Sequence, residues 1–212
     1  MGIEHRSFDP ERSRFPVSAS AIRADLLGNW SFLPDAVKAY YQKTVVLLGT
    51  ECTGKSSLSE ALAREFDASL VPEVGRELIP DSNDFDMEVL KHVAEKHAEN
   101  IRKAEADLRP LVFIDTNVFI TLSYCRFRFG KFLALKKQIY LANQPDFAFY
   151  LDKDLPFEQD GTRLNEHERN ALDKSHRWTL MAFGQEFIEV GGSWQDRFDT
   201  IMHQLLAIMK NG

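Results

Sequence analysis

Cysteine is almost absent from this chain: Cys52 and Cys125 are the only two in 212 residues. Two thiols build neither a disulfide framework nor a zinc site of the usual spacing. The cytoplasm is the compartment expected of such a composition. Long apolar runs are missing as well. Runs such as residues 45–48 and 111–114 fall far short of the ~20 residues that span a bilayer, so no membrane segment is expected. The first residues, MGIEHRSFDPERSR, are polar and charged, unlike a secretory leader. Positive charge is not in excess either. Lys and Arg number 26 against 32 Asp and Glu, a net charge of −6, and nucleic-acid binding needs a basic footprint that this balance does not supply. The locally basic stretch of Arg126, Arg128, Lys131, Lys136 and Lys137 reads as a solvated face. Internal repeats and low-complexity segments are also lacking.

What is present is an ordinary globular balance, 44% apolar and 27% charged residues, in a length that suits one domain with a full core. Residues 1–42 read as an extended and helical N-terminal segment, and residues 43–212 as the main domain. Within the first segment, Leu26, Leu27, Trp30, Leu33, Val37 and Tyr41 recur at near-helical spacing, and Pro34 breaks the run. These residues predict one or two short helices that dock on the main domain or lead into it.

From residue 44 onward, strands and helices alternate. Residues 44–48, 69–71, 111–115, 146–151 and 187–190 read as strands. Residues 55–66, 118–126 and 132–142 read as helices, as does a long span capped by Ser82, Asn83 or Asp84 and ending near Leu108. Its stripe is Phe85, Val89, Val93, His97, Ile101, Ala104 and Leu108, on which His97 reads as a satisfied core-edge histidine. Asn165 with Glu168 spells a capping box for a helix to residue 183. Ser193 opens a last helix after the Gly191–Gly192 turn. Such alternation predicts an α/β fold with a mostly parallel five-stranded sheet covered on both faces. Ligands in such sheets bind at the carboxyl ends of the strands.

The strongest local signal is Gly49-Thr50-Glu51-Cys52-Thr53-Gly54-Lys55-Ser56, followed by Ser57. It fits G-x-x-x-x-G-K-[ST] in full, between an apolar strand and an amphipathic helix. Glycines let the backbone curl so that successive N–H groups face phosphate oxygens, and the helix N-terminus adds its dipole. Lys55, at an exposed loop-to-helix junction, reaches the β- and γ-phosphates, and Ser56 ligates Mg²⁺. Cys52 reads as a small filler at the loop crest. The run LVFID, residues 111–115, is an apolar strand ending in Asp115, the Walker B arrangement in which the carboxylate serves Mg²⁺. Thr116 and Asn117 follow where an acceptor is expected. Glu73 and Arg76 lie just past the second strand, either as an acceptor-orienting pair or as a surface ion pair worth little. Arg163 and Arg169 are either lid arginines for the transferring phosphoryl group or solvated residues at a helix start.

Taken together, these residues resemble the ribosylnicotinamide kinase domain of NadR-type bifunctional NAD-biosynthesis proteins. The motifs that carry the resemblance are GTECTGKSSL (49–58), PEVGREL (72–78), FIDTN (113–117), YCRFRFG (124–130), QDGTR (159–163) and GGSWQDRF (191–198). Upstream, PVSASAIR (16–23) resembles a motif near the end of the adenylyltransferase domain that precedes the kinase in these proteins, with Ser20 where Thr is usual. The chain contains no H-x-G-H, so residues 1–42 are expected to be a remnant, and an adenylyltransferase domain or partner is expected outside this chain. The resemblance implies ATP and nicotinamide riboside as substrates, with Mg²⁺. It implies Glu73, Arg76, Asp115 and Asn117 on the riboside side, Arg163 in the lid, and Gly192 near the adenine. Pro72 stands where some members stack an aromatic residue on the nicotinamide ring, and Asn117 where a second Asp is common. Glu73 and Asp115 both remain open as the base. A kinase of another nucleoside or small metabolite, and an ATP-binding regulatory module with little turnover, are the alternatives.

Overall fold

A computed structural model describes residue 11, residues 13–14, and residues 16–79, 84–155 and 165–211. The first strand, β1 (Lys43–Leu48), is followed by β2 (Ser69–Val71), β3 (Leu111–Asp115), β4 (Phe147–Leu151) and β5 (Ile188–Val190). All pair in parallel in the order β2-β3-β1-β4-β5. A parallel sheet buries both faces, and the strand residues divide by parity as that requires. Val46, Leu48, Val112, Ile114, Ala148 and Tyr150 join one core. Val45, Leu47, Leu111, Phe113, Phe149 and Leu151 join the other.

Helices cover the two faces unequally. The second core packs against α3 (Lys55–Glu65) and α9 (Trp194–Asn211) through Leu58, Leu62, Ile201 and Leu205. The N-terminal helices α1 (Ala19–Ala24) and α2 (Asp35–Tyr41), with a 3-10 turn at Trp30–Phe32 between them, dock on the same side. Leu26, Trp30 and Leu33 are buried in that core, and the Trp30 indole N–H donates to the Leu108 carbonyl at 2.8 Å. The first core packs against α5 (Met87–Ala106), α6 (Val118–Phe129) and α8 (Glu166–Ala182).

Three local readings change. The long helix α5 starts at Met87, with the Asp86 carboxylate accepting from the Val89 N–H at 2.8 Å. The expected caps Ser82 and Asn83 lie outside the described residues. A five-residue helix, α4 (Val74–Leu78), follows β2 and is too short to show a period. The helix expected over 132–142 forms only as α7 (Lys137–Ala142). Gly130 ends α6 with φ +69°, and Phe132 then lays its ring against Trp178 and Phe183. The capping box of Asn165 and Glu168 is present as read. Among the described residues, no helix is long and apolar enough to cross a membrane.

Between α6 and α8 lies a buried polar chain. His176 is fully buried, and its Nδ1 lies 2.8 Å from Ser123 Oγ. Ser123 donates to Ser175 Oγ at 2.9 Å, and Arg126 donates to the same oxygen at 3.2 Å. The Ser123 proton is thus committed to Ser175, so His176 Nδ1 carries the imidazole proton and Nε2 keeps a lone pair. Among the described residues, Nε2 has no partner. Burial first, and the Lys55 charge second, lower the His176 pKa to about 3. A histidine depressed in the folded state binds a proton more readily when unfolded. Its stabilising effect is therefore complete above the usual 6.5 and is lost as pH falls towards 3. The His176→Gln variant should show a flatter dependence of unfolding free energy on pH in this window. The wild type should lose up to about 1.4 kcal/mol per pH unit more than the variant. Parallel urea-unfolding curves for the two proteins at pH 4.5 to 7 would refute this.

Candidate functional site

The chain leaves β1 at Leu48 and turns at Gly49, which adopts φ +140°. A Cβ there would lie 2.8 Å from the Leu151 carbonyl oxygen, so only glycine fits between β1 and β4. Cys52 (φ +59°) and Gly54 (φ +82°) complete the curl. Gly54 brings no side-chain cap to α3, which leaves the positive end of the helix for an anion. Lys55 is only 6% exposed, against the exposed junction expected. The loop wraps over the side chain, whose ammonium donates to the Thr50 carbonyl at 2.9 Å. The Thr53 hydroxyl donates to the same oxygen, also at 2.9 Å.

At the neighbouring strand end, Asp115 pairs in register with Leu47. The Ser56 hydroxyl donates to Asp115 Oδ2, whereas Asp115 Oδ1 is buried with no partner among the described residues. Thr116 follows at φ +68°, an unusual conformation for a β-branched residue, and its N–H donates to the Leu47 carbonyl at 3.0 Å. Nε2 of buried His97 lies 3.1 Å from the Thr116 carbonyl. The carbonyl can only accept, so the proton sits on that nitrogen. Burial lowers the His97 pKa, which keeps the ring neutral. His97 is thus satisfied, as read, and it also supports the strained turn. Asn117 caps α6 by accepting from the Phe119 N–H at 3.1 Å. Its Nδ2 has no partner among the described residues.

These strand ends enclose a cavity of about 340 Å³. Gly49, Glu51, Cys52 and Lys55 form one wall, Glu73 and Arg76 another, and Asn117 a third. From α6, Asn117, Ile120, Thr121 and Tyr124 line it, and from α5, Leu90, Val93 and His97. Glu73 bonds the Arg76 guanidinium at 3.0 Å. The pair is therefore an ion pair and a cavity wall at once. Burial raises the pKa of the Tyr124 phenol well above its usual value; the Glu51 and Glu73 charges add to the rise, and Arg76 opposes it. Two carboxylates and two cations, Lys55 and Arg76, thus line the same cavity as the phenol.

Arg197 holds the loops around this site. It is 1% exposed on α9. It donates to the carbonyls of Thr53 at 2.9 Å, Asp152 at 3.0 Å and Gly192 at 2.9 Å, and it pairs with the Asp154 carboxylate. Asp154 in turn accepts from the Gly192 N–H at 2.6 Å. Gly192, with φ +90°, is thus held next to the loop of residues 49–54.

Most residues singled out from the sequence converge: Gly49, Glu51, Cys52, Lys55, Glu73, Arg76 and Asn117 share one cavity, and Asp115 lies on Ser56. Pro72, expected to touch substrate, is exposed and outside the cavity lining. It precedes the turn that brings Glu73 inward. Arg169, expected in a lid or in solvent, is buried in the first turns of α8. Arg163 and its motif lie outside the described residues. Lys131, Lys136 and Lys137 are exposed, as a solvated face requires. The sequence reading missed Tyr124 and Arg197 as site residues. Tyr124 was available from the spacing i, i+3, i+4, i+7 starting at Asn117. Arg197 carried no local signal, because its partners are distant in sequence.

Comparison with known proteins agrees with this geometry. The profile of the AAA domain family matches residues 44–197. The trifunctional NAD biosynthesis/regulator protein NadR of Salmonella typhimurium is 29% identical over 168 residues, which is 77% of this chain and 41% of that protein. The chain therefore spans less than half the length of this relative. A crystal structure of NadR in complex with NR superposes with TM-score 0.62 at 20% identity, over 85% of this chain and 51% of that one. Deoxyadenosine kinase from M. mycoides, with products bound, superposes with TM-score 0.56 at 11% identity, over 77% and 99%. Both structures share the P-loop fold.

If Arg197 ties the loops together, Arg197→Met should cost about 2–4 kcal/mol of unfolding free energy, because one buried and two partly buried hydrogen bonds to carbonyls are lost. Arg197→Lys, with one compact ammonium instead of a planar fork, should recover only part of the loss. Denaturant titration decides the matter, and an unfolding midpoint unchanged in the Met variant would count against the assignment.

Proposed function

We propose that this chain, which belongs to the AAA domain family, transfers the γ-phosphoryl group of ATP to the 5′-hydroxyl of nicotinamide riboside, giving nicotinamide mononucleotide and ADP. The observation that carries the reading is the cavity against the P-loop, which brings two carboxylates beside the Tyr124 ring. Glu51 and Glu73 line it, and both push the Tyr124 phenol upward. A pyridinium riboside carries a positive ring, which such a site attracts more strongly than a neutral base once water is excluded. The similarity to NadR, a trifunctional NAD biosynthesis/regulator protein, supports the same substrate class.

The residues suit each part of the transfer. The open backbone of residues 49–54 and the N-terminus of α3 cradle phosphate oxygens. Lys55, now resting on the Thr50 carbonyl, has a flexible stem and turns to the γ-phosphoryl group. The hard oxygen pair of Ser56 and Asp115, with Asp115 Oδ1 unpartnered, fits Mg²⁺. Among the described residues no cluster of three His, Cys, Asp or Glu could hold a metal alone, so phosphate oxygens and water would complete the shell. When bound, Mg²⁺ neutralises charge on the phosphates. Glu73 faces the cavity and takes the proton of the attacking hydroxyl. The new bond joins the riboside 5′-oxygen to γ-phosphorus, and the bond to the β,γ-bridging oxygen breaks as ADP leaves. Arg163 is assigned to the lid and Gly192 to the adenine side. Tyr124, rather than Pro72, offers the aromatic surface for the ring.

One observation favours another nucleoside as acceptor. The Asn117 amide lines the cavity with its N–H₂ unpartnered, and an amide donor suits a neutral base that presents an acceptor.

Two measurements test the reading. Asp115→Asn should require more Mg²⁺ to reach half-maximal rate. Glu73→Gln should lose about 10²–10⁴-fold in kcat with little change in Mg²⁺ dependence. Superimposable Mg²⁺ titrations for the two variants would remove the division of roles. In a panel of nicotinamide riboside, nicotinic acid riboside, uridine, cytidine, thymidine and deoxyadenosine, the first should have the highest kcat/KM at fixed ATP and Mg²⁺. A neutral nucleoside ahead by about tenfold, roughly 1.4 kcal/mol in transition-state binding, would overturn the acceptor and leave only the kinase class.

A further inference from the structure

Beside the P-loop, outside the lining of the acceptor cavity, stands an aromatic shelf. Trp194 is the first residue of α9, two residues past Gly192. Its indole is 37% exposed. One ring face stacks on Phe198, at 5.4 Å between centroids and 13° between planes. Its Nε1–H donates to Ser57 Oγ at 3.2 Å. Its Cδ1 lies 3.9 Å from where a Cβ on Gly54 would be. Trp194 does not line the acceptor cavity.

We infer that Trp194 is the platform on which the base of the nucleotide donor stacks. The inference rests on the P-loop reading proposed above and adds the residue that holds the donor's far end. A triphosphate whose terminal phosphoryl group faces the cavity must run out past the first turn of α3, where Gly54 and Ser57 lie. The ribose and base then arrive beside Trp194. The indole is fixed before the ligand comes, by the Phe198 ring behind it and by the Ser57 hydroxyl on its nitrogen. A ring held this way loses little freedom on binding. A base stacks through its π-face whatever its hydrogen-bonding edge, so the platform reads ring area and favours purines over pyrimidines. Arg197, three residues along α9, anchors the shelf to the P-loop through Thr53, so base and phosphates are held by one rigid unit.

The experiment compares ATP with inorganic tripolyphosphate, which has the phosphates and no base, by calorimetry with Mg²⁺. Trp194→Ala should weaken ATP binding about tenfold or more and leave tripolyphosphate binding unchanged. Trp194→Phe, which keeps a ring, should retain most of the ATP affinity. The protein holds three tryptophans, and the fluorescence quench produced by ATP should be lost in Trp194→Phe. ATP affinity unchanged in Trp194→Ala overturns the proposal. So does an equal loss for ATP and tripolyphosphate, because Trp194 would then act only by supporting Ser57. If wild-type protein binds neither ligand, the P-loop reading itself falls, and the platform with it. Melting temperatures of both variants, matched to wild type, exclude a folding defect as the cause.

Discussion

The guanidinium of Arg197 is the point on which the site's geometry depends. A guanidinium presents five N–H donors in a rigid plane. Here they reach the loop after β1, the segment after β4 and the turn after β5. Each of those segments ends a strand of the same parallel sheet, and none has a ladder partner once the strand stops. Loop carbonyls buried without a donor would be costly. One side chain meets that demand for three loops together. The burial of so large a charge is tolerated because each of its three nitrogens bonds an oxygen.

With the loops tied, the strand order sets where chemistry is possible. β1 lies between β3 and β4, and the chain leaves it to cover one face while β3 leads to helices on the other. The connections therefore part above β1, and a crevice opens at its carboxyl end. Gly49 must pass the Leu151 carbonyl closely, which turns the loop back over the crevice. Asp115, in register with Leu47, then reaches Ser56 across one strand spacing. The carboxylates Glu51 and Glu73 line the cavity together with Lys55, Arg76, Tyr124 and His97.

The N-terminal segment contributes differently. Trp30 buries its ring in the core shared by α3 and α9 and satisfies its indole N–H on Leu108. An aromatic side chain with both needs met is a firm anchor. It shares that core with Ile201 and Leu205 of α9, the helix that carries Arg197 and Trp194.

Several features were legible in the residues alone. Unbroken apolar runs such as those of β1 and β3 have one interpretation in an alternating chain, since a parallel strand is buried on both faces. Residues 49–56 could be placed because a phosphate cradle needs glycines, lysine and a hydroxyl at fixed spacing, all local in sequence. The Asn165–Glu168 box was equally local. The helix over 132–142 was misjudged because its periodic apolar residues are shared between α7 and the aromatic contacts of Phe132. Arg169 was misjudged for a related reason: burial follows the path of the chain, and residue type does not reveal it. The sequence by itself determined the strands, the phosphate loop and the carboxylates available to it, because each is written in a pattern a few residues long. Only the tertiary structure decided that Glu51, Glu73 and Tyr124 share one cavity, that Lys55 is covered, and that Arg197 and Trp194 belong to the site. Those facts depend on residues brought together across as many as 144 positions, and no local pattern records such a meeting.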